Sequence, residues 1–220
     1  MKTILVLNPN SSVAVTETML RACAALPLPV GHRVDFRTLD QGPPAIESQR
    51  DVESVVLPVC DYFQAHPADV FVIGCFSDPG LYLAREELSS PVIGISESAL
   101  LAAIGLGSRF GILAIKQGSI RRHMRLVNQL GLAGRCAADR SLDLGVAELL
   151  DAEISIARII DVGRCLRDED GADVLILGCA TMGVYRARLE AELGIPVVDP
   201  TQAAVMRAAS LLSLNYARIT

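Results

Sequence analysis

The chain has 220 residues, 51% of them hydrophobic and 20% charged, and a formal net charge of -5 at pH 7. That length and composition supply one large or two small domains with ample core. The acidic balance, without a basic stripe, excludes nucleic acid and anionic membrane as expected partners and leaves a small molecule.

From the N-terminus, Ile4-Leu5-Val6-Leu7 reads as a buried strand closed by the turn-forming Asn8-Pro9-Asn10-Ser11. No longer apolar region or small-residue cleavage site follows, so a cytoplasmic protein is expected. No apolar run approaches the roughly 18 residues that cross a bilayer. Further strand-like runs at 70–73, 92–95, 110–115, 174–177 and 197–198 alternate with helical patterns. That rhythm predicts an α/β protein with mainly parallel sheets flanked by helices. A last helix is expected over 202–214, free to return onto the first half.

Cysteines stand at 23, 60, 75, 136, 165 and 179, with no CxxC pair and no Cys/His cluster of metal spacing. Reduced thiols are expected, and no metal. Cys23, Cys60, Cys136 and Cys165 lie among helical-looking residues and read as small buried hydrophobes. His123, within Arg121-Arg122-His123, reads as part of a solvated helix face, while His32 and His66 sit beside loop-forming Gly31 and Pro67. No histidine is assigned to catalysis.

A repeat organises the chain. Ala68-Asp69-Val70-Phe71-Val72-Ile73-Gly74-Cys75 matches Ala172-Asp173-Val174-Leu175-Ile176-Leu177-Gly178-Cys179 at an offset of 104, with five of eight positions identical. Pro91-Val92-Ile93 then matches Pro196-Val197-Val198 at an offset of 105. A fainter correspondence sets residues 4–11 against 112–119. Two pseudosymmetric α/β lobes are inferred, residues 1–97 with 205–220 and residues 98–204, closely packed because no flexible linker parts them. Ligands of open α/β sheets bind beyond the carboxyl ends of strands, so the active site is expected between the lobes, where Cys75 and Cys179 face each other.

Inverting a stereocentre requires a proton to leave one face and arrive at the other, which two opposed bases accomplish directly. One cysteine starts as thiolate and the other as thiol, their roles exchanging for the opposite enantiomer. A helix N-terminus after each Gly-Cys step is expected to lower the thiol pKa, and each glycine to permit a sharp turn and a close ligand. The developing enolate needs donors. Candidates are Asn10 and Ser11 in the first turn, Ser77 and Thr181 after the cysteines, Ser119, and the backbone N–H groups of both cysteine turns. The competing structural readings are a plain turn and N-cap for Asn8-Pro9-Asn10-Ser11, and a turn that starts or breaks a helix for Asp78-Pro79-Gly80.

Several blocks carry a family resemblance. Asn8-Pro9-Asn10-Ser11-Ser12 with Thr16-Glu17-Thr18, Gly42-Pro43 with Ile46-Glu47-Ser48, Gly74-Cys75-Phe76-Ser77-Asp78-Pro79-Gly80, Pro91-Val92-Ile93-Gly94 and Leu177-Gly178-Cys179-Ala180 together resemble the aspartate/glutamate/hydantoin racemase superfamily. Within it, the chain is most similar to the hydantoin and allantoin racemases. The resemblance implies a metal-free, cofactor-free isomerase, usually a homo-oligomer, with Cys75 and Cys179 as the acid/base pair. It also places Asn10, Ser11, Ser77, Ser119 and Thr181 where the family holds substrate oxygens. Phe76 stands where amino-acid racemases have asparagine, and no histidine follows Cys179, which disfavours a glutamate racemase. Thr181, Gly183 and Lys116-Gln117 depart from the hydantoin racemase pattern. The expected substrate is a 5-substituted hydantoin or allantoin. Behind it rank a maleate-type cis/trans isomerase, an aspartate-like racemase or an arylmalonate-type decarboxylase on the same fold, and then a non-enzymatic ligand-binding protein.

Overall fold

The computed structural model describes residues 1–216. Two four-stranded parallel sheets make up the frame. The first contains β1 (Lys2–Asn8), β2 (His32–Thr38), β3 (Val70–Ile73) and β4 (Val92–Gly94) in the order β2-β1-β3-β4. The second contains β5 (Phe110–Ala114), β6 (Cys136–Ser141), β7 (Val174–Leu177) and β8 (Val197–Val198) in the order β6-β5-β7-β8. Each strand of one sheet thus has its counterpart four places on. The helices are α1 (Val13–Cys23), α2 (Gln49–Ser54), α3 (Val56–Ala65), α4 (Leu81–Glu87), α5 (Ile95–Ala103), α6 (Gln117–Gln129), α7 (Ala152–Asp168), α8 (Arg186–Leu193) and α9 (Pro200–Ser213).

The inner strands are unbroken apolar runs because both of their faces are covered. Along β1, Ile4 and Val6 enter one core cluster while Leu5 and Leu7 enter another, following the two-residue period of a strand. The largest cluster runs through both halves, from Ile4, Val6 and Met19 to Leu175, Leu177 and Val205. Each fully buried Ile, Leu or Val in it contributes about 1.5–3 kcal/mol.

The ladder register corrects one expectation. Leu7 pairs with Ile73 and Leu113 with Leu177, so the first strands of the two halves correspond at an offset of 106, whereas matching 4–11 with 112–119 requires 108. The loop from β1 to α1 carries two residues more than the loop from β5 to α6. β2 and β6, which periodicity did not single out, form edges of their sheets. Cys136 belongs to β6 and not to a helix. α9 begins where Asp199 caps it, accepting from the N–H groups of Thr201 (2.7 Å) and Gln202 (3.3 Å), with Pro200 in its first turn. It crosses residues 204/205 unbroken and packs on α5, α1 and the strands β1, β3 and β4. The assigned segment 217–220 lies outside the described residues.

Candidate active site

β3 and β7 both end at one cavity, and a Gly-Cys pair follows each. The glycines are demanded by the sheets themselves. Gly74 N–H donates to Leu7 O at 2.8 Å, and Gly178 N–H to Leu113 O at 3.0 Å. A Cβ at 74 would sit 3.0 Å from Leu7 O, and one at 178 would collide with Leu113 O. Close strand packing is therefore a sufficient physical reason for them, and both also line the cavity.

Cys75 and Cys179 both line the cavity. Beyond Cys75 the chain makes a turn in which Asp78 N–H donates to Cys75 O at 3.0 Å, and α4 starts only at Leu81. Beyond Cys179 a 3₁₀ helix, Ala180–Tyr185, begins at once, and Thr181 Oγ1 lies 3.2 Å from Cys179 Sγ. The expected lowering of both thiols does not occur. Burial pushes Cys75 up to about 12, against the Ser77 N–H directed at its sulfur; Cys179 and Asp78 add to the rise and Arg122 opposes it. Cys179 is raised by burial as well, against the hydroxyl and N–H of Thr181, with Glu47 adding to the rise. Desolvation outweighs the turn dipoles at both positions.

Of the other candidates, Asn10, Ser77 and Ser119 line the same cavity. Asn10 Oδ1 accepts from Asn8 Nδ2 and Ser12 N–H, both at 2.9 Å, which leaves its amide Nδ2 for a ligand. Ser11 does not line it: Ser11 is half-buried, with its N–H on Pro43 O at 3.0 Å. Thr181 is buried behind Cys179 and reaches the cavity only through that sulfur. The N-cap reading of the first turn also holds, since Ser12 Oγ accepts from Val15 N–H at the start of α1.

Two site residues escaped the reading of the chain. His123 is 3% exposed and not on a solvated face. Arg122 adjoins it, and both line the cavity. One Arg122 nitrogen donates to Ser119 Oγ (2.9 Å) and Glu47 O (3.0 Å), while its Nε is buried without a partner among the described residues. The available signal was helical spacing: 122 and 123 lie three and four residues after Ser119, hence on its face of α6. Glu47 spans the two halves, accepting from Val146 N–H at 2.8 Å and pairing with Lys116. The cavity is partly open to solvent and has a volume of about 30 Å³, room for one or two waters. Among the described residues no group of three or more His, Cys, Asp or Glu could hold a metal ion.

Two like-ordered parallel α/β sheets meeting at a pair of thiols define a class of fold and site, and comparison with known proteins identifies it. Residues 4–208 match the family described as Asp/Glu/Hydantoin racemase, and the chain belongs to that family. It is 33% identical to a hydantoin racemase of Paenarthrobacter aurescens over 219 residues, 97% of this chain and 92% of the relative. It superposes on an allantoin racemase from Klebsiella pneumoniae with a TM-score of 0.93 and 34% identity, covering 99% of this chain and 90% of that one. With an allantoin racemase from Pseudomonas fluorescens the TM-score is 0.92 and the identity 27%, over 98% and 92% of the two chains. The protein is accordingly an isomerase of the racemase type.

Proposed function

We propose that this racemase acts on 5-substituted hydantoins or allantoin, without a cofactor, by moving the proton at the ring carbon between two cysteines. The observation that carries the reading is that Cys75 and Cys179 end equivalent strands of the two sheets and line one cavity. In one direction the Cys75 thiolate takes the proton from one face of C5, and the electron pair moves into the adjacent carbonyl as an enolate. The Cys179 S–H then returns a proton to the other face. In the reverse direction the roles exchange. Asn10, Ser77 and Ser119 offer hydrogen bonds to the ring and the enolate oxygen, and Arg122 supplies positive charge beside Cys75. Ser11 and Thr181 support the site from behind, Thr181 through its contact with the Cys179 sulfur.

A five-membered ring exceeds that volume, so the cavity widens on binding, and the Glu47 contacts with Lys116 and Val146 that join the two halves are the ones expected to part, leaving an open state. The base forms in that open, hydrated state, where the desolvation that holds the thiols protonated is relieved.

The lobe division, 1–97 with 205–220 and 98–204, belongs to the same proposal, with α9 treated as one piece. So do a homo-oligomer, checked by light scattering, and a cytoplasmic location, which six unpaired thiols favour. Among the described residues no helix is long and apolar enough to cross a membrane.

The test follows separate D- and L-5-substituted hydantoins and allantoin in deuterated buffer by NMR and chiral analysis, against an enzyme-free control. Racemisation with deuterium at C5, lost in Cys75→Ser and Cys179→Ser, is expected. Absence of catalysed exchange from all of these rings overturns the reading. The guanidinium beside Cys75 favours one second reading, an acidic amino acid or dicarboxylate as substrate, which aspartate and maleate in the same assay decide.

A further inference from the structure

Outside the thiol pair, one arrangement of buried titratable groups opens on the same cavity. His123, on α6, and Asp139, on the edge strand β6, have side chains only 3% and 1% exposed, and His123 Nδ1 lies 2.8 Å from Asp139 Oδ2. The ring is held from the other half of the molecule too: Phe76, the residue after Cys75, meets it edge to face, with centroids 4.9 Å apart and planes at 90°. Phe76 and His123 both line the cavity that holds the two thiols.

A carboxylate only accepts, so the hydrogen of a neutral imidazole paired with Asp139 resides on Nδ1. In that tautomer Nε2 is an acceptor, and it has no partner among the described residues. An acceptor fixed in this way at a reaction cavity selects a donor. His123 shares its cavity with both cysteines, so a donor to its ring and the carbon held between the sulfurs belong to one small ligand.

We infer that His123 is a specificity-determining residue whose Nε2 accepts a hydrogen bond from the substrate's ring N–H adjacent to the exchanging carbon, with Asp139 as the positioning residue that sets its tautomer. The inference rests on the cyclic-ureide reading above and names the atom of the ring that is recognised. Rings that lack this N–H leave the histidine lone pair buried and unpaired, which is where the selectivity arises.

Hydantoin and succinimide test it as binding probes, because they are of one size and differ in having N–H or CH₂ at the position in question. Calorimetry on the wild-type protein is expected to show hydantoin binding about ten- to a hundredfold more tightly, the range for an unpaired buried polar group. In His123→Leu the two affinities converge, and in Asp139→Leu the preference shrinks. Those ratios compare two ligands on one folded variant, so a purely structural role for either residue would not change them. A second measurement needs no variant: with ¹⁵N-labelled histidine, the His123 Nε2 signal moves on adding hydantoin and stays in place on adding succinimide. Equal binding of the two rings, failure of hydantoin to bind, a preference that persists in His123→Leu, or an unmoved Nε2 signal overturns the inference. None of these readouts depends on turnover. Selective hydantoin binding, with no racemisation of 5-substituted hydantoins or allantoin, would sink the cyclic-ureide racemase reading and leave the histidine contact standing.

Discussion

At the scale of residues, the proposed chemistry turns on two thiols whose protonated form burial favours. Replacing either with serine should cut racemisation at least about a hundredfold, since a positioned acid or base contributes at least that much; polarimetry from each enantiomer measures it. Because Cys75 is raised from an ordinary 9.0 to about 12, kcat/KM should climb about tenfold per pH unit between pH 7 and 9, in proportion to the thiolate fraction. The same rise has a sign for stability. A folded state that favours the protonated thiol keeps that contribution below the unfolded value near 9.0 and loses it as pH climbs toward 12. Urea midpoints should therefore fall from pH 9 upward, less so in Cys75→Ala. Thr181→Val removes the hydroxyl that lies 3.2 Å from the Cys179 sulfur and favours its thiolate. It should slow the enantiomer that uses Cys179 as base more than the other, as separate D- and L-progress curves would reveal. The pairing of Cys75 with Cys179 was legible because an eight-residue block with five identical positions occurs twice. Arg122 and His123 were not, because polar residues in a helix read as a wet face until a partner such as Asp139, from a distant strand, is known to cover them.

Among the elements, the inner strands β1, β3, β5 and β7 were legible as apolar runs with burial on both faces. β2 (HRVDFRT) and β6 (CAADRS) have no such run. They are held by the backbone ladder along one edge, a tertiary circumstance that local composition does not encode. Asp78 makes the same point for a helix start. With φ +44 and its carboxylate accepting from Ser96 and Glu97 N–H, both at 2.9 Å, it satisfies the first turn of α5 from eighteen residues upstream. The Asp-Pro-Gly string marked a turn but not the helix it serves. Asp78→Ala should cost about 1–2 kcal/mol by chemical denaturation, the usual loss for a cap. The cap also ties the turn after Cys75 to α5, so the rate should fall alongside stability.

For the molecule as a whole, the proposed access to the site turns on contacts between the halves. Glu47 holds the loop before α2 to Lys116 and to the Val146 N–H. Glu47→Ala should speed hydrogen exchange at the Val146 amide about tenfold, equivalent to losing a hydrogen bond of about 1–2 kcal/mol, and leave exchange in β1 and β3 unchanged. The two-sheet plan was visible in the repeat, but the narrowness of the cavity was not, because it depends on side chains from opposite halves meeting. α9 extends the plan in time. It packs on β1, β3 and β4, yet it is the last helix of the described chain. During synthesis Ile4, Val6, Val70 and Val72 emerge long before Val205, Ala208 and Leu212, the residues that share their core. A chain made from its N-terminus at about 5–20 residues per second therefore carries an uncovered apolar sheet for several seconds, and the first half reaches its final packing only after nearly the whole second half has left the ribosome.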